Sequence, residues 1–230
     1  MTLRNAIKHF LGRYPSLFYP AFKLLGSSRL QEECLLNERS KLVIEGFPRS
    51  ANTFSVVAFR YAQGEDVEMA HHLHVECQII SGVQRKIPVI ALIRAPDDAV
   101  RSLLIREKNI SSDEAFKRYF QFYSAVKKVR SQIVLADFSV VTNNYSAVIQ
   151  EVNSKYGTEF KLYENSSENE KEVNQRIDSI NADLDGGQET HVARPSTERK
   201  KISVDLGDSI YRKKSKAIYK ELSDLVCSDI

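Results

Sequence analysis

No polar side chain interrupts Pro88-Val-Ile-Ala-Leu-Ile93. A run of this kind suits a strand covered on both faces, as in a parallel sheet sandwiched between layers of helices. A second run, Lys41-Leu-Val-Ile-Glu45, ends at Gly46, and a third is Gln132-Ile-Val-Leu-Ala136. Apolar residues at helical spacing fill the intervals. They mark helices over Phe54–Ala62 (closed by Gly64), His74–Gly82, Ser111–Arg130 and Val141–Tyr156. Pro96, followed by Asp97 and Asp98, opens a further helix, because its ring fits the first helical position and acidic groups suit the positive first turn. The alternation predicts an α/β fold, a central parallel sheet flanked by helices.

A chain of 230 residues supplies one well-buried core, and 42% hydrophobic with 27% charged residues excludes wholesale disorder. Lys+Arg 33 against Asp+Glu 30 leaves +3, so no nucleic-acid partner is expected. No apolar stretch approaches the ~20 residues of a membrane span. Residues 1–230 therefore read as a single domain, with an N-terminal helical segment over 1–40. In that segment Phe10, Leu11, Tyr14, Leu17, Phe18 and Phe22 form an apolar stripe, interrupted by Pro15 and Pro20. The stripe is expected to dock on the domain, with peripheral membrane contact as the alternative. Residues 165–201 turn polar and read as an exposed helix followed by a mobile loop or lid; Asp208–Val226 reads as a basic amphipathic helix. Cys34, Cys77 and Cys227 form no CxxC pair, which predicts free thiols, a cytoplasmic setting and no structural metal.

Ligands of open parallel sheets bind beyond the carboxyl ends of the strands. The first run is followed there by Phe47-Pro-Arg-Ser-Ala-Asn-Thr53 and a helix start. Backbone N–H groups of such a turn, with the helix dipole, make an anion cradle. Ser50, Asn52 and Thr53 add small donors and Arg49 a full charge. The segment is not a Walker A loop, since the chain contains no Gly-Lys dipeptide. The run ending at Ile93 is followed by Arg94-Ala-Pro-Asp-Asp-Ala-Val-Arg-Ser102. Arg94 stands at the strand end and Ser102 about two turns along the helix, so together they can clamp a second phosphate. A nucleotide with 5′- and 3′-phosphate groups fits both loops without a metal.

Residues 45–54 and 89–102 resemble the two cofactor signatures of sulfotransferases that use 3′-phosphoadenosine 5′-phosphosulfate (PAPS). The resemblance covers roughly residues 41–140. It implies that Pro48, Arg49, Ser50, Ala51, Asn52, Thr53 and Phe54 hold the 5′-phosphosulfate end and stack the adenine. It also implies that Arg94 and Ser102 hold the 3′-phosphate, that adenosine 3′,5′-bisphosphate (PAP) is the product, and that no metal is needed. Arg49 stands where the family usually has Lys, Ala51-Asn52 where it has Gly-Thr, and Phe54 where it has Trp.

Ala70-His-His-Leu-His74 holds three of the five histidines. The resemblance makes His72 the general base that deprotonates an acceptor hydroxyl, with His74 as the alternative; a His-x-His metal pair is a further reading of the same residues. Arg199-Lys200 resembles the family's late basic pair that closes on the 3′-phosphate. Two other functions stay open, a P-loop-like nucleotide kinase and a nucleotide-binding module without turnover.

Overall fold

The computed structural model describes residues 3–64, 67–185 and 201–226. Four strands form one sheet in the order β2-β1-β3-β4, every pair parallel. They are β1 Leu42–Gly46, β2 Met69–His71, β3 Val89–Ile93 and β4 Val134–Asp137. Around them lie α1 Leu3–Leu11, α2 Pro15–Leu25, α3 Ser28–Cys34, α4 Asn52–Gln63, α5 Glu76–Gln84, α6 Pro96–Arg106, α7 Ser112–Lys128, α8 Phe138–Asn143, α9 Tyr145–Tyr156, α10 Ser167–Asp185 and α11 Ile210–Val226.

The apolar runs become strands because both of their faces are covered. Val43, Val89, Ala91, Ile93 and Leu135 point into a core with Phe116, Tyr119 and Tyr123 of α7 and Ile218 and Leu222 of α11. Their alternate neighbours Leu42, Ile44, Ile90, Leu92 and Val134 pack with Phe59 of α4, Val148 and Ile149 of α9 and Val173 and Ile177 of α10. This is the two-layer cover expected of an α/β sheet. Among the described residues, no helix is long and apolar enough to cross a membrane.

Four details differ from the sequence reading. Met69–His71 is a strand, set by its pairing with Leu42, Val43 and Ile44 rather than by its own pattern. The helix expected over Val141–Tyr156 is two helices, because the Asn144 side chain accepts from the Ala147 N–H and starts α9 afresh. The described part of 165–201 holds the expected helix, but α10 is not exposed all round, since it buries Val173 and Ile177 against α4. The N-terminal stripe splits. Phe18 is buried with Cys34, Leu73, Val75 and Cys77, while Phe10, Tyr14 and Leu17 are exposed.

The order β2-β1-β3-β4 also places the reversal of winding between β1 and β3. Gly46 pairs with Leu92 there, and a Cβ on Gly46 would lie 2.7 Å from the Leu92 carbonyl oxygen. Only glycine lets the two strand ends approach so closely. The loops bearing Arg49 and Arg94 therefore leave the sheet side by side.

Candidate functional site

The β1 loop ends in α4, whose N-cap is Ala51 at φ 68° and supplies no capping side chain. The first amides of α4 thus lack the usual side-chain acceptor and face the strand tips with the positive end of the helix dipole. Non-glycine residues rarely take a left-handed φ, and five do so among the described residues: Arg49, Ala51, His72, His74 and Lys86. The first four line a single cavity of about 870 Å³, bounded also by Arg94, Ser102, Phe138, Glu170 and Ile202. Each such conformation costs about 1–2 kcal/mol, and strain of this kind gathers at functional sites.

The two sequence motifs meet in that cavity. Arg49 Nε donates to Ser102 Oγ at 2.9 Å, and Arg94 Nη1 donates to the Arg49 carbonyl at 2.9 Å. The Arg94 guanidinium lies 4.0 Å from the centre of the Phe138 ring, a cation–π contact that steadies it. The structure thus shows one continuous site, with Ser102 engaged by Arg49 as well as placed near the Arg94 loop. Pro48, Ala51, Asn52 and Thr53 line it. Ser50 is fully buried and is not among the residues that line it. Phe54 reaches the wall but is only 9% exposed, its ring set edge-on against Tyr145 and Tyr163. Arg199 and Lys200 lie outside the described residues.

Both candidate histidines line the cavity. His72 Nε2 is 3.2 Å from Thr53 Oγ1, and its Nδ1 is 2.8 Å from His71 Nδ1. His74 Nδ1 is 2.9 Å from the Gly46 carbonyl oxygen. Burial, with Arg60 and Arg106 nearby, takes His72 down to about 4. Burial, reinforced by His72 and Lys8, holds His74 well below the ordinary imidazole range. The lowered pKa values favour the neutral imidazole in both at pH 7.

A residue outside the expected set supports this segment. Glu45 of β1 is fully buried and accepts from Leu73 N–H at 2.9 Å, His74 N–H at 3.0 Å and Gln78 Nε2 at 3.0 Å. Burial raises it to about 7 although those three donors pull the other way. The sequence held a signal for it, a carboxylate inside an apolar strand.

Scanned against protein-family models the chain matches none, and a search of curated proteins returns no match.

Proposed function

We propose that the chain is a PAPS-dependent sulfotransferase with a P-loop-like sulfotransferase architecture, moving a sulfuryl group to an acceptor hydroxyl, with a carbohydrate or glycolipid as the acceptor class the resemblance favours. A cytoplasmic setting goes with this reading. The observation that carries it is the junction of Arg49, Ser102 and Arg94 at the β1 and β3 tips, in a cavity large enough for a nucleotide and walled by two neutral histidines.

The residues divide the work by position. Arg49 and the uncapped start of α4 neutralise charge that builds on a leaving 5′-phosphate, and they are in place before reaction, so little reorganisation is required. Arg94, steadied by Phe138, and Ser102 hold a 3′-phosphate; Ser102 accepts from Arg49 and keeps its own O–H to donate. A histidine removes the proton of the attacking hydroxyl. PAPS supplies the activated sulfuryl group, and the rest is positioning and electrostatics.

Calorimetry with PAP and with MgATP, followed by a labelled-sulfate transfer assay, tests the reading. PAP should bind more tightly than MgATP, which a kinase would reverse. Arg94→Ala and Arg49→Ala should each weaken PAP at least tenfold, the cost of losing one charge-assisted contact. Unchanged PAP affinity in Arg94→Ala would refute the assignment, and binding without transfer leaves the non-catalytic module.

A further inference from the structure

Resting on the sulfuryl-transfer reading, we infer that His74 receives the proton of the attacking hydroxyl, while a relay from Arg60 holds His72 as a hydrogen-bond donor.

Hydrogen-bond direction fixes the tautomers. A guanidinium can only donate, and Arg60 Nη2 lies 3.3 Å from His71 Nε2, so His71 accepts there. Neutral His71 then carries its proton on Nδ1 and donates it to His72 Nδ1, 2.8 Å away. Neutral His72 must carry its own proton on Nε2, where it donates to Thr53 Oγ1 at 3.2 Å. Both nitrogens of His72 are occupied, and a second proton on Nδ1 would face the proton of His71. His72 ties the start of α4 to the end of the edge strand and is a poor receiver.

His74 has the opposite arrangement. A carbonyl can only accept, so its 2.9 Å contact with Gly46 puts the proton on Nδ1 and leaves a lone pair on Nε2. Glu45 Oε2, 3.9 Å from Nδ1, stands where it steadies an imidazolium once formed. The groups facing His74 are Glu45 from β1, Lys8 and His9 from α1, and His72 from its own loop. This pattern of a base oriented from behind by an acceptor is what hydroxyl activation requires.

His74 also occupies the right place. A smaller chamber of about 110 Å³, walled by Lys8 and His9 of α1, Glu76 of α5 and Gln121 of α7, adjoins the nucleotide cavity, with Pro48, His74, Leu103 and Glu107 lining both. A hydroxyl entering through that chamber meets His74 at the boundary. Its oxygen bonds to sulfur as its proton passes to Nε2. The bond from sulfur to the bridging oxygen breaks, leaving the electron pair on the 5′-phosphate, and His74 returns the proton to water.

Long-range ¹⁵N–¹H NMR of the full chain at pH 7.5 reads the tautomers directly; Nε2–H is expected for His72 and Nδ1–H for His74. In Arg60→Met the His72 signal should become a mixture of tautomers, an effect a purely structural arginine would not produce. Transfer from PAPS to galactose, glucosamine and 2-naphthol is then measured. His74→Gln should lower turnover at least 100-fold, and His72→Gln, whose amide still donates to Thr53, less than tenfold. Reversed tautomers, or a His74→Gln rate within tenfold of wild type, overturn the inference. A wild type that shows the expected tautomers and binds PAP but transfers to none of these acceptors overturns the transfer reading instead, and the base role with it.

Discussion

Glu45→Gln should gain stability relative to wild type as pH rises from 4.5 to 8, and should be less active. The side chain is fully buried, and burial lifts its pKa from the ordinary 4.5 to about 7. The folded state therefore binds the Glu45 proton more tightly than the unfolded chain does. The stability this proton confers is complete below pH 4.5 and is lost as pH rises through about 7. Each pH unit of that interval corresponds to about 1.4 kcal/mol, so burying the charge costs roughly 3 kcal/mol at pH 8. Glutamine has the shape of the protonated acid and carries no charge to desolvate. Below pH 4.5 the variant should be less stable by about 1–3 kcal/mol, because its amide nitrogen cannot accept the N–H bond that the second carboxyl oxygen accepts. Between pH 4.5 and 8 the difference should move in the variant's favour by up to about 3 kcal/mol, and His74 should lose the carboxylate behind it. His72, held down to about 4, gives stability a rise with pH between that value and 6.5, but it is common to both proteins and cancels in the difference. Urea denaturation of both proteins at several pH values between 4.5 and 8 measures the gap. A variant less stable than wild type by the same amount at every pH would show that the three N–H donors outweigh burial, and the reasoning would fail.

Gln78 is fully buried and links three segments: it accepts from Leu36 N–H at 2.7 Å and donates to the Cys34 carbonyl and to Glu45 Oε1, each at 3.0 Å. Gln78→Leu removes this partner from the Leu36 N–H and the Cys34 carbonyl, while Glu45 Oε1 keeps the Leu73 N–H; it should cost roughly 2–6 kcal/mol in chemical denaturation, and a loss under 1 kcal/mol would contradict it. Ala51→Gly should stabilise by about 1 kcal/mol, because φ 68° carries no penalty for glycine; a lower melting temperature would show that the loop relies on the alanine methyl. Burial pushes the Cys34 thiol up to about 12 and the Cys77 thiol higher still. Both should resist iodoacetamide in the native protein at pH 8 and react in urea, as mass spectrometry of digests can show.

Much of the fold was legible because it is locally encoded. The continuous apolar runs from Leu42, Val89 and Val134 leave few alternatives to a strand covered on both faces. Pro96, Ser111 and Gly64 mark helix ends by chemistry that acts within a few residues. Met69–His71 gave no such signal, being three residues long and stabilised only by its neighbour. That the Ser50 side chain is buried was not legible, because a polar residue in a strand-to-helix turn gives no sign of which way it faces. Glu45 was visible as an anomaly, but its partners Leu73, His74 and Gln78 lie 28 to 33 residues further along the chain.

By itself the sequence determined where β1, β3, β4 and most helices run and which two turns carry Arg49 and Arg94, since propensity, capping and periodicity are local properties. Only the tertiary structure decided that β1 and β3 are neighbours, that Arg49 reaches Ser102, and which nitrogen of each histidine holds a proton. Those outcomes depend on strand pairing and on donors brought together from distant parts of the chain, and neither follows from the order of residues along one segment.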